Sequence, residues 1–401
     1  MGGCQFGASE RRSDMTQQKT RPGRALNLTA YQRWMEAQQI PLHTGHIVFD
    51  ARLVERKPWA LTGTPAAFID LIGMEGFSGM QVVEIPPGGA TKPQKHLYQQ
   101  LICILEGHGT TEVWQAGEAG RKSTFEWGPF SLFSPPLNTS YQLYNVGSTP
   151  VIYLAVNDAP MMIDLFHNLD FIFNNPYVFA ERYDAGDGEY FTREERVLNG
   201  SSMVWRTNFI DNVQEALVDA QEAKGAGVKI TVFDMAQNSL AGHLTEWPVG
   251  RYHKSHHHQG GAILLIARSE GYSIMWPQEL GVRPYQNHFD DQIVTVDWGP
   301  YSVFSPPTKW FHQHFNTGRE TARQLAFRPG GSSENPTGFR RSGNRYVPGK
   351  GQGVYVSYRD GGALIEYEDE DPFIKPDFEK RLKALGIESK MPDFAYNTDV
   401  R

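Results

Sequence analysis

The stretch Gly250-Arg251-Tyr252-His253-Lys254-Ser255-His256-His257-His258-Gln259-Gly260-Gly261, with the apolar run Ala262 to Ala267 and then Arg268-Ser269-Glu270-Gly271, decides how this chain is read. Side chains on an extended segment alternate between two sides with a period of two. His256 and His258 therefore point the same way and reach one metal ion together. Ile263-Leu264-Leu265-Ile266-Ala267 has the β-branched and apolar content of a buried strand, so the pair stands beside a core and not on a free tail.

Outward from this stretch, the chain repeats itself. At an offset of 162, Glu84, Pro86, Gly88, His96, Gly109 and Trp114 fall on Glu246, Pro248, Gly250, His258, Gly271 and Trp276. At an offset of 171, the run Trp127 to Pro136 falls on Trp298 to Pro307, and Gln142, Asn145, Gly147, Leu154 and Ala155 fall on Gln313, Asn316, Gly318, Leu325 and Ala326. The chain is a tandem duplication. The change of offset places nine more residues in the second copy between Trp276 and Trp298, around Pro277, Gly281 and Pro284, which reads as a loop insertion.

Composition narrows the class. Hydrophobic residues make up 40% of the 401 residues and charged residues 21%, which fits a globular chain with a substantial core. Aromatics at 12%, with 40 Gly and 25 Pro, favour strands and tight turns. A net charge of -7 supplies no basic field for a phosphate backbone, so small molecules are the expected partners and nucleic acid is not. Two cysteines, Cys4 and Cys103, make no disulfide framework. The basic N-terminus has no apolar segment behind it and no run reaches transmembrane length, so a cytoplasmic chain without membrane contact is expected.

Gly250, His256, His258 and Gly271, followed by Pro307, His312 and Asn316, resemble the two motifs of the cupin superfamily. With two copies the chain resembles a bicupin over roughly residues 75–160 and 228–330. The resemblance implies an all-β fold of two tandem jelly-roll barrels with a few flanking helices, and a homo-oligomer, commonly a dimer. It also implies a mononuclear metal centre. The sequence departs from the usual pattern in two places: the carboxylate expected four or five positions after the second histidine is replaced by Ala262 and Ile263, and the second-motif glycine by Lys309. A three-histidine face remains, His256, His258 and His312. Neutral imidazoles suit iron, zinc, nickel or copper better than manganese or magnesium. Three-histidine cupins similar to this are iron(II) dioxygenases, among them thiol, β-diketone and gentisate-type enzymes. The resemblance thus implies Fe(II), with Zn, Ni, Cu or Mn as the other metals, and oxidation of an aromatic or enolisable acid by O2. The alternatives are a non-redox isomerase, decarboxylase or lyase, and a non-catalytic small-molecule-binding or storage-type bicupin.

Other residues follow from alternation. Trp310 and His314 share the side of His312, while Gln324 and Arg328 share a face of the next strand. Arg328 is placed either as a carboxylate clamp or in a salt bridge, Trp310 either as pocket wall or as core, and His314 or Gln313 as a hydrogen-bonding or acid/base group. His253, His257 and His288 are expected in solvent, and parity does not decide the side of His243. In the first copy Gln94, His96 and Tyr141 stand at the positions of His256, His258 and His312, so that barrel is expected to be structural or dimerising. The expected domains are a disordered N-terminus (1–26), a first barrel with a degenerate site (27–160), a linker with a helix (161–227), a second barrel with the metal site (228–330) and an extension (331–401) that packs and performs no chemistry.

Overall fold

The structure, a computed structural model, describes residues 28–400 apart from 75, 116, 118, 119, 200, 201, 220–223, 226 and 338–345. The N-terminus expected to be disordered, 1–26, lies outside the described residues.

Each copy of the repeat builds a large sheet facing a three-stranded one, the two layers of a jelly-roll barrel. In the first, Pro65–Leu71, Gly79–Ile85, Val151–Asn157, Gln100–Glu106 and Leu132–Phe133 lie side by side, opposite Ser140–Asn145, Gly109–Trp114 and Ser123–Trp127. In the second the same order is filled by Lys229–Asp234, Ala241–Trp247, Ala322–Arg328, Ile263–Arg268 and Val303–Phe304, opposite Val294–Trp298, Gly271–Pro277 and Trp310–Asn316. The chain is two tandem jelly-roll barrels with a few helices. The first helix, Ala30–Ala37, starts on a capping box at Thr29 and Gln32 and buries Tyr31, Trp34 and Met35.

The repeated residues are those that turn the barrel corners. Gly109 pairs with both Asn145 and Trp127, and Gly271 with both Asn316 and Trp298. A β-carbon on either glycine would collide with a backbone oxygen, of Tyr144 or Phe315, and with the tryptophan ring. The indole N–H of Trp127 donates to Thr111 Oγ1 (2.8 Å), and that of Trp298 to Ser273 Oγ (3.0 Å). Asn145 and Asn316 each fold back to accept the N–H of the glycine two residues on, Gly147 at 2.8 Å and Gly318 at 3.0 Å.

The barrels share one apolar core. Leu101, Cys103 and Leu154 of the first copy belong to the same buried cluster as Phe233, Leu265 and Leu325 of the second. Short strands cross between them: Ile47–Val48 pairs with Val303–Phe304 of the second barrel. The stretch 161–227 is more than the expected linker, because it does supply sheet edges. Ser202–Thr207 pairs in parallel with Lys229–Asp234, and Phe209–Ile210 pairs with Leu132–Phe133 of the first barrel. The polar composition of this stretch hides these strands, which find their hydrogen-bond partners far away in sequence.

The nine-residue insertion and the C-terminal extension explain each other. Arg283, in the insertion, is 3% exposed and donates to the carbonyls of Asp369, Val400, Glu368 and Asn397. Ile365, Tyr367, Phe378 and Leu382 of the extension pack on Tyr252, Tyr272, Phe311 and Phe315, the outer face of the small sheet. Among the described residues no helix is long and apolar enough to cross a membrane.

Replacing Gly271 by Ala is expected to destabilise the chain by about 3 kcal/mol, because neither the Phe315 backbone nor the Trp298 ring can retreat. Urea unfolding midpoints of the two proteins check this; a difference within about 0.5 kcal/mol would show that the corner opens without cost.

Candidate metal centre

The histidine-rich stretch is tied to the strand Trp310–Asn316 by bridges, Tyr252 to Phe315 and His256 to His312. Tyr252 and His256 are four positions apart and His312 and Phe315 three, so one extra residue is accommodated between Tyr252 and His256, as in a β-bulge. The first copy has the same mismatch, with Ala90 bridged to Tyr144 and Gln94 to Tyr141. The bulge reverses the alternation. His253, expected in solvent, is 2% exposed and faces the same cavity as His256 and His258. His257 is half-buried with its ring against Phe311, and His288 is exposed.

His256, His258 and His312 bring one ring nitrogen each within 4.8 Å of the others. Their Nδ1 atoms are spent on backbone carbonyls: His256 on Lys254 (3.2 Å), His258 on Gln259 (2.7 Å) and His312 on Trp310 (3.1 Å). Nδ1 therefore carries the proton and Nε2 the lone pair, the tautomer a metal ligand needs. Burial pushes the pKa of His256 well below its usual value and that of His312 down to about 3, so both stay neutral. The donor set fits a metal, although two bonds of about 2.1 Å span at most about 4.2 Å, so the rings must close slightly on an ion.

His314 is set differently. Ser273 Oγ receives the Trp298 N–H and lies 2.6 Å from His314 Nδ1. Nδ1 is the acceptor within reach of the hydroxyl proton among the described contacts, and with that proton donated there His314 carries its own N–H at Nε2. It presents a donor to the cavity and is unsuited as a fourth ligand. Gln313 faces the other way, correcting its expected place beside the site: its amide donates to Glu370 Oε2 at 3.1 Å, outside the barrel. Trp310 keeps the inner side but packs at the strand end opposite Pro277, with the cluster of Met275 and Val296, and does not line the cavity.

The cavity has a volume of about 30 Å³ open to the centres of water-sized molecules. Arg328 and Gln324 line it, as does His243. Two contributors escaped the sequence. Lys224, 8% exposed, places Nζ 3.0 Å from His256 Nε2, and its backbone carbonyl accepts the N–H of Lys254 at 2.7 Å. Burial, and then the charge of Arg328, lower its pKa to about 7. Val354 and Tyr355 come from the extension, which therefore supplies part of the wall and does more than pack. The extension is registered on the site directly, because Leu364 bridges His256 and the N–H of Ile365 donates to the Ser255 carbonyl at 2.8 Å. Lys224 lies in a Gly/Ala loop without periodicity, and Tyr355 stands about a hundred residues beyond the motif; no local pattern marks either.

The first barrel shows what replaces the centre. His96 Nε2 lies 2.9 Å from the Tyr141 hydroxyl, which also accepts from Gln100 at 2.8 Å, and Gln94 donates to the carbonyls of Leu61 and Lys92. These polar groups satisfy one another.

No family model matches the sequence, and no curated protein does. Solved structures do. One of Bacillus subtilis oxalate decarboxylase with Mn(II) centres is 13% identical, with a TM-score of 0.44, covering 70% of this chain and 76% of that one. A study of substrate binding and reaction specificity in oxalate decarboxylase gives a structure 12% identical, with the same TM-score and coverage.

Glu370, buried between the Tyr252 hydroxyl and the Gln313 amide, ties the extension to the strand of His312 and His314. Burial raises its pKa from 4.5 to about 8. The folded chain thus keeps a proton that the unfolded chain loses above about pH 4.5, and stability falls as pH rises from there to about 8. Glu370→Gln is expected to flatten this slope by roughly 5 kcal/mol, measured as the change in unfolding free energy between the two ends of that range.

Proposed function

We propose that the second barrel is a mononuclear metal-dependent enzyme acting on a small organic acid. The observation that carries this reading is the convergence of three imidazoles, His256 and His312 buried and neutral and His258 half-buried, whose Nδ1 atoms are bonded to carbonyls so that each Nε2 presents its lone pair. His256, His258 and His312 would hold the ion. A metal on three protein ligands keeps open positions, where it supplies Lewis acidity and, if it is iron(II), activation of O2.

The other groups divide the remaining tasks. Arg328 offers a planar guanidinium to a carboxylate. His314 offers its Nε2–H to oxygen that becomes negative during reaction. Val354 and Tyr355 add apolar and aromatic wall to the cavity. The ligand set suits iron(II) and oxidation of an aromatic or enolisable acid by O2. One observation favours a second reading, a non-redox decarboxylase, lyase or isomerase: Lys224 stands beside His256, where an ammonium holds an enolate or carboxylate and returns a proton without any oxidant.

Metal analysis of the purified protein is expected to give about one ion per chain, and His256→Ala and His312→Ala are each expected to lose it. Unchanged metal content in both variants would remove the site. With the iron form, substrate-dependent O2 uptake supports oxidation. Turnover of the same acid by the zinc form without O2 supports the second reading.

A further inference from the structure

We infer that Lys224 and Arg328 form a two-point receptor for an organic dianion, Lys224 holding the oxygen group beside the histidines and Arg328 the other. Both line one cavity together with His243, His253, His256 and His312, and among the described residues no aspartate or glutamate lines it. Lys224 is buried and Arg328 half-buried; a cation drawn out of water without a counter-charge is costly, and elsewhere this chain supplies partners. Arg323, 4% exposed, donates to Glu246 Oε2 at 2.7 Å, and Arg283 holds four carbonyls.

Among the described residues neither Lys224 nor Arg328 makes a salt bridge. The acid whose charge Arg328 feels, Asp234, is taken up by the backbone N–H groups of Ser333 and Glu334. The polar contact of the Lys224 ammonium is His256 Nε2, with the Tyr355 ring 5.8 Å away. A third group points to a ligand: Gln324, 3% exposed and on the face of Arg328, has its carbonyl oxygen buried without a hydrogen-bond partner. An acid with two anionic groups supplies both missing counter-charges, and a hydroxyl on its backbone would satisfy Gln324 as well.

The inference rests on the metal-centre reading for the place of the first oxygen group, and on Lys224 and Arg328 alone for the double charge. Titration calorimetry at fixed ionic strength with malonate, acetate and malonamide tests it, on the full chain loaded with zinc and on the metal-free chain. Malonate is expected to bind at least about tenfold more tightly than acetate in both forms, and malonamide not to bind. Lys224→Met, with unchanged zinc content and unchanged far-UV spectrum, is expected to erase the preference for malonate over acetate. Lys224→Arg is expected to restore it in part, and Arg328→Gln to weaken both anions. Equal affinity for malonate and acetate in the unsubstituted protein overturns the receptor, as does a preference that survives Lys224→Met. A chain that takes up no zinc but still prefers malonate overturns the metal centre and supports the receptor.

Discussion

The antiparallel bridge between His256 and His312 is the contact on which the site depends. Backbone hydrogen bonds of 3.2 and 2.9 Å run in both directions between these two residues and hold their rings 4.4 Å apart. Because the chain reaches this bridge one residue out of step with the bridge at Tyr252, it brings His253 inward as well. The result is a cavity walled by imidazoles. The same bulge in the first barrel carries Gln94 and Tyr141, so the backbone is common to both copies and the difference between them lies in the side chains placed on it.

Two neutral forms of histidine meet in this cavity, and backbone or hydroxyl partners select them. Carbonyls at Nδ1 leave lone pairs on His256, His258 and His312, whereas the Trp298–Ser273 pair turns His314 into a donor. That pair has a counterpart in Trp127 and Thr111 of the first barrel, where it serves the corner alone. A structural hydrogen bond of the duplicated fold has thus become the group that sets a tautomer in the second copy.

The elements outside the barrels complete the site. The insertion exists in the copy that bears the histidines, and its Arg283 anchors the extension that brings Val354 and Tyr355 over the cavity. Glu370 adds a buried link from the same extension to Gln313, between His312 and His314. The wall of the cavity and the strand bearing His312 and His314 are therefore tied together.

Much of this was legible in the sequence. The two offsets superpose nearly every strand of one barrel on the other, since Gly, Asn and Trp recur wherever a corner leaves no room for a different side chain. That His256, His258 and His312 come together followed from motif spacing, and the neutral replacement at Ala262 stood in plain view. Alternation failed at His253 because a bulge is invisible to a period of two. It also failed to separate Gln313 from His314 by role, since the extension that claims Gln313 lies more than fifty residues further on. Lys224 and Tyr355 were decided by tertiary structure alone: each reaches the cavity from a segment whose place is fixed by hydrogen bonds to distant backbone. Local sequence sets the alternation of a regular strand, and only the packed chain determines which charged side chains share a cavity.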